Sequence, residues 1–434
     1  NNVKRIFTLK YRFTAIIIIN LTFSLNVLAV KFYSINSLYG ISNRVTNSIC
    51  KDDNGFIWAS SKTGILRLTD NDYRIYQLPY ENTGAVVVTL NYKNSKLIAY
   101  TNNGQIFSYN PIYDRFDLVI NLSKIADNQH FDLYTLIVDH FGDYWIALNS
   151  GLYKYHSGKL SLIDEISKER YSITWYDDQQ IIIAKPTGIW LLDIQSLKSK
   201  CIYKIRDISP FTVSAFYLDK EQDKLWIGTF SNGFFCYNFN TATLSNILES
   251  SFPRQPILTI KENSKSTFLV GVDGQGMWEL DKGSNQVLNV YKENVDDPYS
   301  IKGNGVYDIF CDPGKRVWVC TISGGVSFYE LTSPLVNQIN HRTNDPNSLV
   351  NNDVNSIVED SRGRLWFATN NGISCWNPNL NQWKSFYNDQ RNQAQVFLTL
   401  CEDNKGRIWA GTYSSGVYVL DGNTGKELAH YTKN

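Results

Sequence analysis

Short runs of β-branched and aromatic residues, separated by turns that contain Asp and Gly, repeat along almost the whole chain. Residues 359–376 show the pattern clearly. Asp360 and Gly363 mark a first turn, Trp366 lies in the next run, and Gly372 marks a second turn. Asp bonds its own backbone in turns, and Gly tolerates the positive φ that tight turns require. Because the runs are short and lack a sustained 3.6-residue period, the pattern predicts β-strands joined by hairpin turns.

The pattern occurs in nine copies, each with an anchor residue, usually Trp, in the second strand and a Gly at the start of the third. The anchors are Trp58, Ile98, Trp145, Ile182, Trp226, Leu269, Trp318, Trp366 and Trp409. The glycines are Gly64, Gly104, Gly151, Gly188, Gly233, Gly276, Gly325, Gly372 and Gly416. Successive glycines are separated by 37 residues (Gly151 to Gly188) to 49 residues (Gly276 to Gly325). This period is typical of a four-stranded β-propeller blade, so we expect the Trp residues to pack between blades.

Residues 31–38 (KFYSINSL) precede the first full repeat and have the composition of a strand. A ring of blades has no exposed edge only when one blade is completed by a strand from the other terminus. We therefore predict an all-β chain in which residues 30–333 form a seven-bladed β-propeller closed by residues 31–38. Residues 334–434 would then form the first two blades of a second, truncated β-propeller. A single nine-bladed ring is the alternative.

The first 29 residues have the features of an export signal. Basic residues in the first 12 positions precede residues 13–30, which carry no charge, and Val27-Leu28-Ala29 fits a small-residue cleavage site. This predicts a signal peptide over residues 1–29 and an exported protein. The apolar stretch is also at the lower limit for a membrane span, so an uncleaved anchor is the alternative.

Composition excludes several classes of function. The formal net charge is +1 and no run is polybasic, which argues against nucleic acid or anionic lipid as the main partner. The five histidines show no metal-binding spacing, and neither a GxSxG elbow nor a P-loop occurs. We therefore expect no metal, no cofactor and no catalytic residues in this segment. The turn acids recur once per blade in most copies, so we interpret them as turn formers.

A ligand site is expected where several loops are longer than in the other repeats. The interval from anchor to glycine is one residue longer in repeats five, six, seven and nine, and repeats five to seven are neighbours. Loops between second and third strands share one face of a propeller with the connections between blades. Aromatic, amide and charged side chains on this face suit a sugar, whose apolar face stacks while its hydroxyls form hydrogen bonds. The candidate ligand-binding residues are Phe230, Asn232, Asp273, Gln275, Tyr299 and Arg170.

The repeat resembles a known family. The segments SICKDDNGFIWASSKTGI, SIVEDSRGRLWFATNNGI and TLCEDNKGRIWAGTYSSGV, with the linker NDPNSLVNND, are similar to the regulator-propeller repeats of hybrid two-component sensors. The resemblance extends over roughly residues 32–431. Repeats two, four and six depart from it because Ile98, Ile182 and Leu269 replace the Trp.

The resemblance implies a function for the parent protein. Such sensors carry two seven-bladed propellers and a β-sandwich in the periplasm, followed by a membrane span, a histidine kinase, a receiver and a DNA-binding domain. It implies a periplasmic location, with the parent protein in the inner membrane. It also implies an oligosaccharide ligand and control of carbohydrate-utilisation genes, and it allows a homodimer. A propeller-fold polysaccharide lyase or lactonase, or a scaffold that binds only protein, are the alternatives.

Overall fold

The computed structural model describes residues 30–61, 63–69, 72–81, 86–125, 132–165, 170–205, 211–248, 251–313, 315–331, 339–343, 345–388 and 395–433. The predicted signal peptide lies outside these ranges. Within them, every strand belongs to one of nine four-stranded antiparallel sheets, and the two helices are short. The predicted all-β class is confirmed. The chain divides into two compact units, the first comprising residues up to Asn294 and Tyr299–Thr332, and the second containing Ser333–Asn434.

The described residues of the first unit form seven sheets, which are the blades of a propeller. In chain order its elements are β1 (Tyr33–Ser34), α1 (Ile35–Tyr39), β2 (Thr46–Lys51), β3 (Ile57–Ser61), β4 (Gly64–Leu68), β5 (Tyr73–Tyr76), β6 (Val88–Lys93), β7 (Lys96–Thr101), β8 (Gln105–Asn110), β9 (Arg115–Asn121), α2 (Leu122–Ile125), β10 (Leu133–Val138), β11 (Tyr144–Leu148), β12 (Gly151–His156), β13 (Lys159–Asp164), β14 (Ser172–Trp175), β15 (Gln180–Lys185), β16 (Gly188–Asp193), β17 (Ser199–Lys204), β18 (Val213–Asp219), β19 (Lys224–Thr229), β20 (Phe234–Asn238), β21 (Thr243–Ile247), β22 (Ile257–Glu262), β23 (Thr267–Val272), β24 (Gly276–Asp281), β25 (Val287–Tyr291), β26 (Val306–Cys311), β27 (Arg316–Thr321) and β28 (Gly325–Glu330). The first strand of each full repeat is the innermost, and its sheet continues outward in chain order.

The described residues of the second unit form two blades. Their strands are β29 (Val354–Glu359), β30 (Leu365–Thr369), β31 (Gly372–Asn377), β32 (Gln382–Phe386), β33 (Phe397–Glu402), β34 (Arg407–Thr412), β35 (Val417–Asp421) and β36 (Glu427–Tyr431). Their shared core includes Trp366, Ile373, Phe397 and Ile408, all buried. Each blade buries one face against its neighbour, so consecutive repeats each supply one side of this core.

The ring of the first unit closes between its seventh and first blades. β1 pairs with β28 in the registers Tyr33 to Phe328 and Ser34 to Ser327, so the N-terminal segment completes the seventh blade. Near the axis, the Thr46 hydroxyl donates to the carbonyl oxygen of Gly325 at 2.9 Å. The expected pairing of the N-terminal segment with the third strand of repeat seven is therefore confirmed.

The length of the closing strand was predicted wrongly. Residues 31–38 were expected to form one strand, but only Tyr33–Ser34 pairs and Ile35–Tyr39 forms α1. Phe32 and Ile35 are both buried although they are three residues apart, a spacing that strand alternation does not allow. Gly40 then ends the helix at φ 66°, a conformation that residues with a side chain rarely adopt.

The turn acids and the anchor Trp residues form one structural unit. In the third blade, Asp139 Oδ1 accepts hydrogen bonds from the backbone N–H groups of Phe141 and Asp143, at 3.0 and 2.9 Å. Its Oδ2 accepts the indole N–H of the buried Trp145 at 3.0 Å. The same indole bond occurs between Trp58 and Asp52, Trp366 and Asp360, and Trp409 and Asp403. The interpretation of these acids as turn formers holds in these four blades, and the carboxylate also accepts the indole N–H of the anchor Trp.

Replacing Asp139 with alanine is expected to lower the free energy of unfolding by about 2 kcal/mol, because the buried indole N–H of Trp145 would lose its acceptor. The matched control is Asp177→Ala in the fourth blade, where the anchor is Ile182 and, among the described residues, the carboxylate accepts only backbone N–H groups. That loss is expected to be about 1 kcal/mol or less. Urea unfolding of both variants measures the difference, and equal losses would contradict the role assigned to the indole bond.

Candidate functional site

The first unit contains a pocket of about 400 Å³ on its axis, lined mainly by the innermost strands. Several of the side chains that these strands contribute to the pocket are short and polar. The lining includes Asn47, Ser48, Thr89, Thr135, Ser214 and Thr259 from the innermost strands, with Arg170 and Phe230 from loops. Hydroxyl and amide groups from separate blades therefore converge on one concave space. The volume is in the range of small-molecule sites in proteins.

An arginine between two aromatic rings lies in the wall of this pocket. The Arg170 guanidinium lies 4.6 Å from the ring centre of Phe230 and 5.1 Å from that of Tyr134. The three residues belong to three different blades, because Tyr134 is in β10, Arg170 precedes β14 and Phe230 follows β19. The backbone N–H of Phe230 donates to the carbonyl oxygen of Thr212 at 3.0 Å, which holds the loop in place. We refer to Tyr134, Arg170 and Phe230 as the cationic platform.

A carboxylate and an amine lie on the innermost strands of the seventh and sixth blades. Lys261 Nζ lies 3.2 Å from Asp308 Oδ1, and the charge of Asp308 raises the pKa of Lys261. The Asp308 side chain is 14% exposed, whereas that of Lys261 is 43% exposed in the pocket. The ammonium group therefore has one side paired with Asp308 and the other open to a ligand.

Asp308 is held by four further donors from three blades. Its Oδ2 accepts hydrogen bonds from the Ser48 hydroxyl at 3.2 Å and from the Ile49 N–H at 3.0 Å. Its Oδ1 accepts from the Thr259 hydroxyl at 3.2 Å and from the Ile309 N–H at 2.9 Å. The carboxylate thus connects the sixth, seventh and first blades next to the point of ring closure.

Two of the six sequence-predicted site residues, Arg170 and Phe230, line the axial pocket, and the other four do not. The Asn232 side-chain oxygen accepts from the Ser231 hydroxyl at 3.3 Å, and that of Gln275 accepts from Lys292 Nζ at 3.0 Å. Both are local loop contacts.

Tyr299 and Asp273 have local contacts as well. The Tyr299 ring packs edge-on against Tyr33 at 5.5 Å, and its carbonyl oxygen accepts the Phe32 N–H at 2.8 Å, so it supports the closing strand. The backbone N–H of Asp273 donates to the Pro256 carbonyl oxygen at 2.9 Å.

Sequence reasoning missed most of the pocket lining, including the aromatic Tyr134 and the charged residues Lys261 and Asp308. A signal for the two charged residues exists in the sequence, because each lies inside the first strand of its repeat, among apolar residues. A charge in such a strand needs a partner, which makes it a candidate for the axis of the ring.

The second unit has a pocket of about 390 Å³, lined by residues of the loop 341–350 together with Asn371, Ser385 and Asn388. Its charged groups are already paired. Arg342 lies 2.8 Å from Asp345, and the Arg342 N–H donates to the Ser348 hydroxyl at 3.0 Å. His341 Nδ1 lies 2.6 Å from the Leu349 carbonyl oxygen. These bonds shape the loop and leave fewer groups for a ligand than the axial pocket offers.

Among the described residues, no group of three or more His, Cys, Asp or Glu side chains is placed to hold a metal ion. Within the same ranges, no helix has the length and apolar character needed to cross a membrane.

Comparison with known proteins supports the predicted resemblance. The family described as two component regulator propeller matches residues 39–63, 348–371 and 381–414. These segments cover parts of the first, eighth and ninth repeats. No curated protein matched the chain.

Solved structures with the same fold include two extracellular domains from B. thetaiotaomicron. That of the hybrid two component system BT3049 is 20% identical with a TM-score of 0.58, over 93% of this chain and 55% of the other. One structure from BT4673 is 21% identical with a TM-score of 0.57, over 93% of this chain and 53% of the other. The chain thus spans about half the length of these domains. At this identity the likeness shows the propeller fold.

Proposed function

We propose that these two-component regulator propeller repeats are the extracytoplasmic, ligand-sensing part of a hybrid two-component sensor, and that the first unit binds an oligosaccharide in its axial pocket. The parent protein would then be an inner-membrane histidine kinase whose sensor region lies in the periplasm and which controls carbohydrate-utilisation genes. The family matches and the extracellular domains of similar fold support the sensor role.

The proposal of an oligosaccharide ligand rests on the lining of the axial pocket. Phe230 and Tyr134 provide ring faces, and hydroxyl groups from several blades line the same space. A sugar ring has an apolar face that stacks on aromatic side chains, and its hydroxyls both donate and accept hydrogen bonds. An apolar ligand would cover polar groups of the lining, such as the Arg170 guanidinium, without offering them a hydrogen-bond partner, which is unfavourable.

Binding alone can transmit a signal without any chemical step. A ligand shifts a pre-existing equilibrium between two arrangements of the protein when its affinity for the two arrangements differs. The pocket is suited to this role because its lining comes from most of the blades of the ring. A ligand that bridges several blades favours the arrangement in which those blades hold their contacts with it.

Calorimetry with the purified protein tests the proposal, using hexasaccharides of α-1,4-glucan, β-1,4-xylan and α-1,4-galacturonan as probes. Replacing Phe230 with alanine is expected to weaken binding of the preferred probe by about 5- to 150-fold, because a stacking surface is removed. Phe141→Ala is the matched control, since Phe141 is exposed on a turn between first and second strands, on the opposite face. Unchanged affinity in a folded Phe230→Ala protein would place the site elsewhere. If none of the three hexasaccharides binds, the result would favour a scaffold that binds only protein.

A further inference from the structure

The charges that line the axial pocket are unbalanced. Two side chains of its lining, Arg170 and Lys261, are cationic, and one, Asp308, is anionic. The charge that a ligand meets depends on which of these groups already have hydrogen-bond or ion-pair partners within the protein.

The Asp308 carboxylate already has hydrogen-bond and ion-pair partners within the protein. An ionised carboxylate has about four lone-pair positions for hydrogen bonds. Four neutral donors already occupy Asp308: the Ser48 and Thr259 hydroxyls and the Ile49 and Ile309 N–H groups. Lys261 adds an ion pair to this arrangement. Asp308 therefore presents little acceptor capacity to a ligand, while the ammonium group of Lys261 retains donors that face the pocket.

The Arg170 guanidinium, in contrast, has no ion-pair partner among the described residues. In the described part of the chain, no carboxylate lies within ion-pairing distance of its guanidinium, and its contacts are the rings of Tyr134 and Phe230. The exposed Asp132 acts on Arg170 electrostatically but does not form an ion pair with it. A guanidinium has five N–H donors in a planar fork that matches a carboxylate or a sulfate. The two rings hold this group in place before any ligand arrives.

We propose that the axial pocket selects an acidic oligosaccharide, and that Arg170 binds its anionic group while Lys261 adds a second favourable charge. This rests on the function proposed above and narrows its ligand class. A neutral oligosaccharide would bury the guanidinium without a counter-ion, which is costly. An acidic sugar supplies that counter-ion, and the rings of the cationic platform still offer a stacking surface to the adjoining sugar.

The anionic group has two sources in carbohydrates, uronate carboxylates and sulfate esters, and the probes distinguish them. Calorimetry compares tetragalacturonate, its carboxyl-reduced neutral counterpart and a sulfated neutral tetrasaccharide, with hexaglutamate as an acidic peptide. We expect one of the acidic sugars to bind at least about 10-fold more tightly than the neutral sugar, with affinity that falls as salt is raised.

Variants of Arg170 and Lys261 test which residue binds the anionic group of the sugar. Arg170→Gln is expected to weaken binding of the acidic sugar by about 10- to 100-fold, with little effect on the neutral one. Lys261→Gln is expected to have a smaller effect in the same direction. Arg115→Gln and Lys159→Gln, both at exposed positions on outer strands, are the matched controls and are expected to change nothing. Because Arg170 is exposed and Asp308 keeps four donors when Lys261 is replaced, both pocket variants are expected to fold, which thermal unfolding checks.

The outcomes separate this inference from the proposed function. Equal binding of acidic and neutral sugars, unchanged in Arg170→Gln, overturns the charge selection and leaves the oligosaccharide sensor in place. Binding of hexaglutamate in preference to every sugar overturns both and indicates a peptide sensor. Absence of binding by all acidic probes at millimolar concentration also overturns the inference.

Discussion

Replacing Lys282 with methionine is expected to lower the free energy of unfolding of the seven-bladed unit by about 3–5 kcal/mol. The Lys282 side chain is only 2% exposed, and its ammonium lies 2.6 Å from Glu262 and 3.2 Å from the buried Asp219. The Tyr217 hydroxyl is a further partner at 3.1 Å. Methionine would fill the space but would leave the Asp219 carboxylate buried without its counter-ion. Urea unfolding monitored by Trp fluorescence measures the loss.

The double variant Asp219→Asn with Lys282→Met is the control. It removes both charges and keeps a side-chain oxygen for the Gln222 N–H, which donates to Asp219 in the turn. We expect it to recover most of the lost stability, because removing both partners of a buried pair is often close to neutral. If the double variant is as unstable as the single one, packing rather than charge is responsible.

The pH dependence of the Lys282 effect follows from the direction of its pKa shift. Burial by itself would lower the pKa, but hydrogen bonds with Glu262 and Tyr217 outweigh burial and raise it. A raised pKa stabilises the fold at every pH below the unfolded value of about 10.4, and the contribution disappears only as the pH rises through the folded value. The difference between wild type and Lys282→Met is therefore expected to be constant from about pH 6 to pH 9.

Replacing Asp308 with alanine is expected to cost about 3–4 kcal/mol, because five donors from three blades would lose one acceptor. The N–H of Ile49 would be left unsatisfied in the part-buried junction between the first and seventh blades. Since this junction closes the ring, we expect the Asp308→Ala protein to be cut faster by proteases near β1 and β2 as well as to unfold at lower urea. Trypsin digestion followed by mass spectrometry measures the first effect.

Thr259→Val is the matched control for Asp308, since it removes one of the five donors and is expected to cost about 1 kcal/mol. Because Asp308 raises the pKa of Lys261, their interaction stabilises the fold below about pH 10.4 and is lost as the pH rises through the folded pKa. On the alkaline side, the effect of Asp308→Ala is thus expected to shrink only as the pH rises through the folded pKa of Lys261. An effect no larger than that of Thr259→Val would show that the carboxylate is not the centre of the junction.

The blades were predictable because their signals are local. Asp360 to Trp366 spans one turn and the start of one strand, and the carboxylate that forms the turn also accepts the Trp indole N–H. A few consecutive residues contain all of this chemistry, so the repeat is visible in the sequence. Closure of the seventh blade by the N-terminal segment was predictable for a similar reason, since an unpaired sheet edge requires a strand. The helix at Ile35–Tyr39 was not predicted, because residues 31–38 have the composition of a strand and the burial of both Phe32 and Ile35 appears only in the folded ring.

The axial pocket depends on the tertiary structure. The sequence by itself determined the strands, the turns, the blade period and the side of the ring on which Arg170 and Phe230 lie. It did not determine which loop side chains point toward the axis, so Asn232, Gln275 and Tyr299 were chosen on the same grounds and form local contacts instead. Lys261 and Asp308 lie in different blades, and they meet only because adjacent innermost strands converge at the centre of the ring. Local turn chemistry is encoded within a few residues, whereas the convergence of side chains on an axis depends on how all the blades pack.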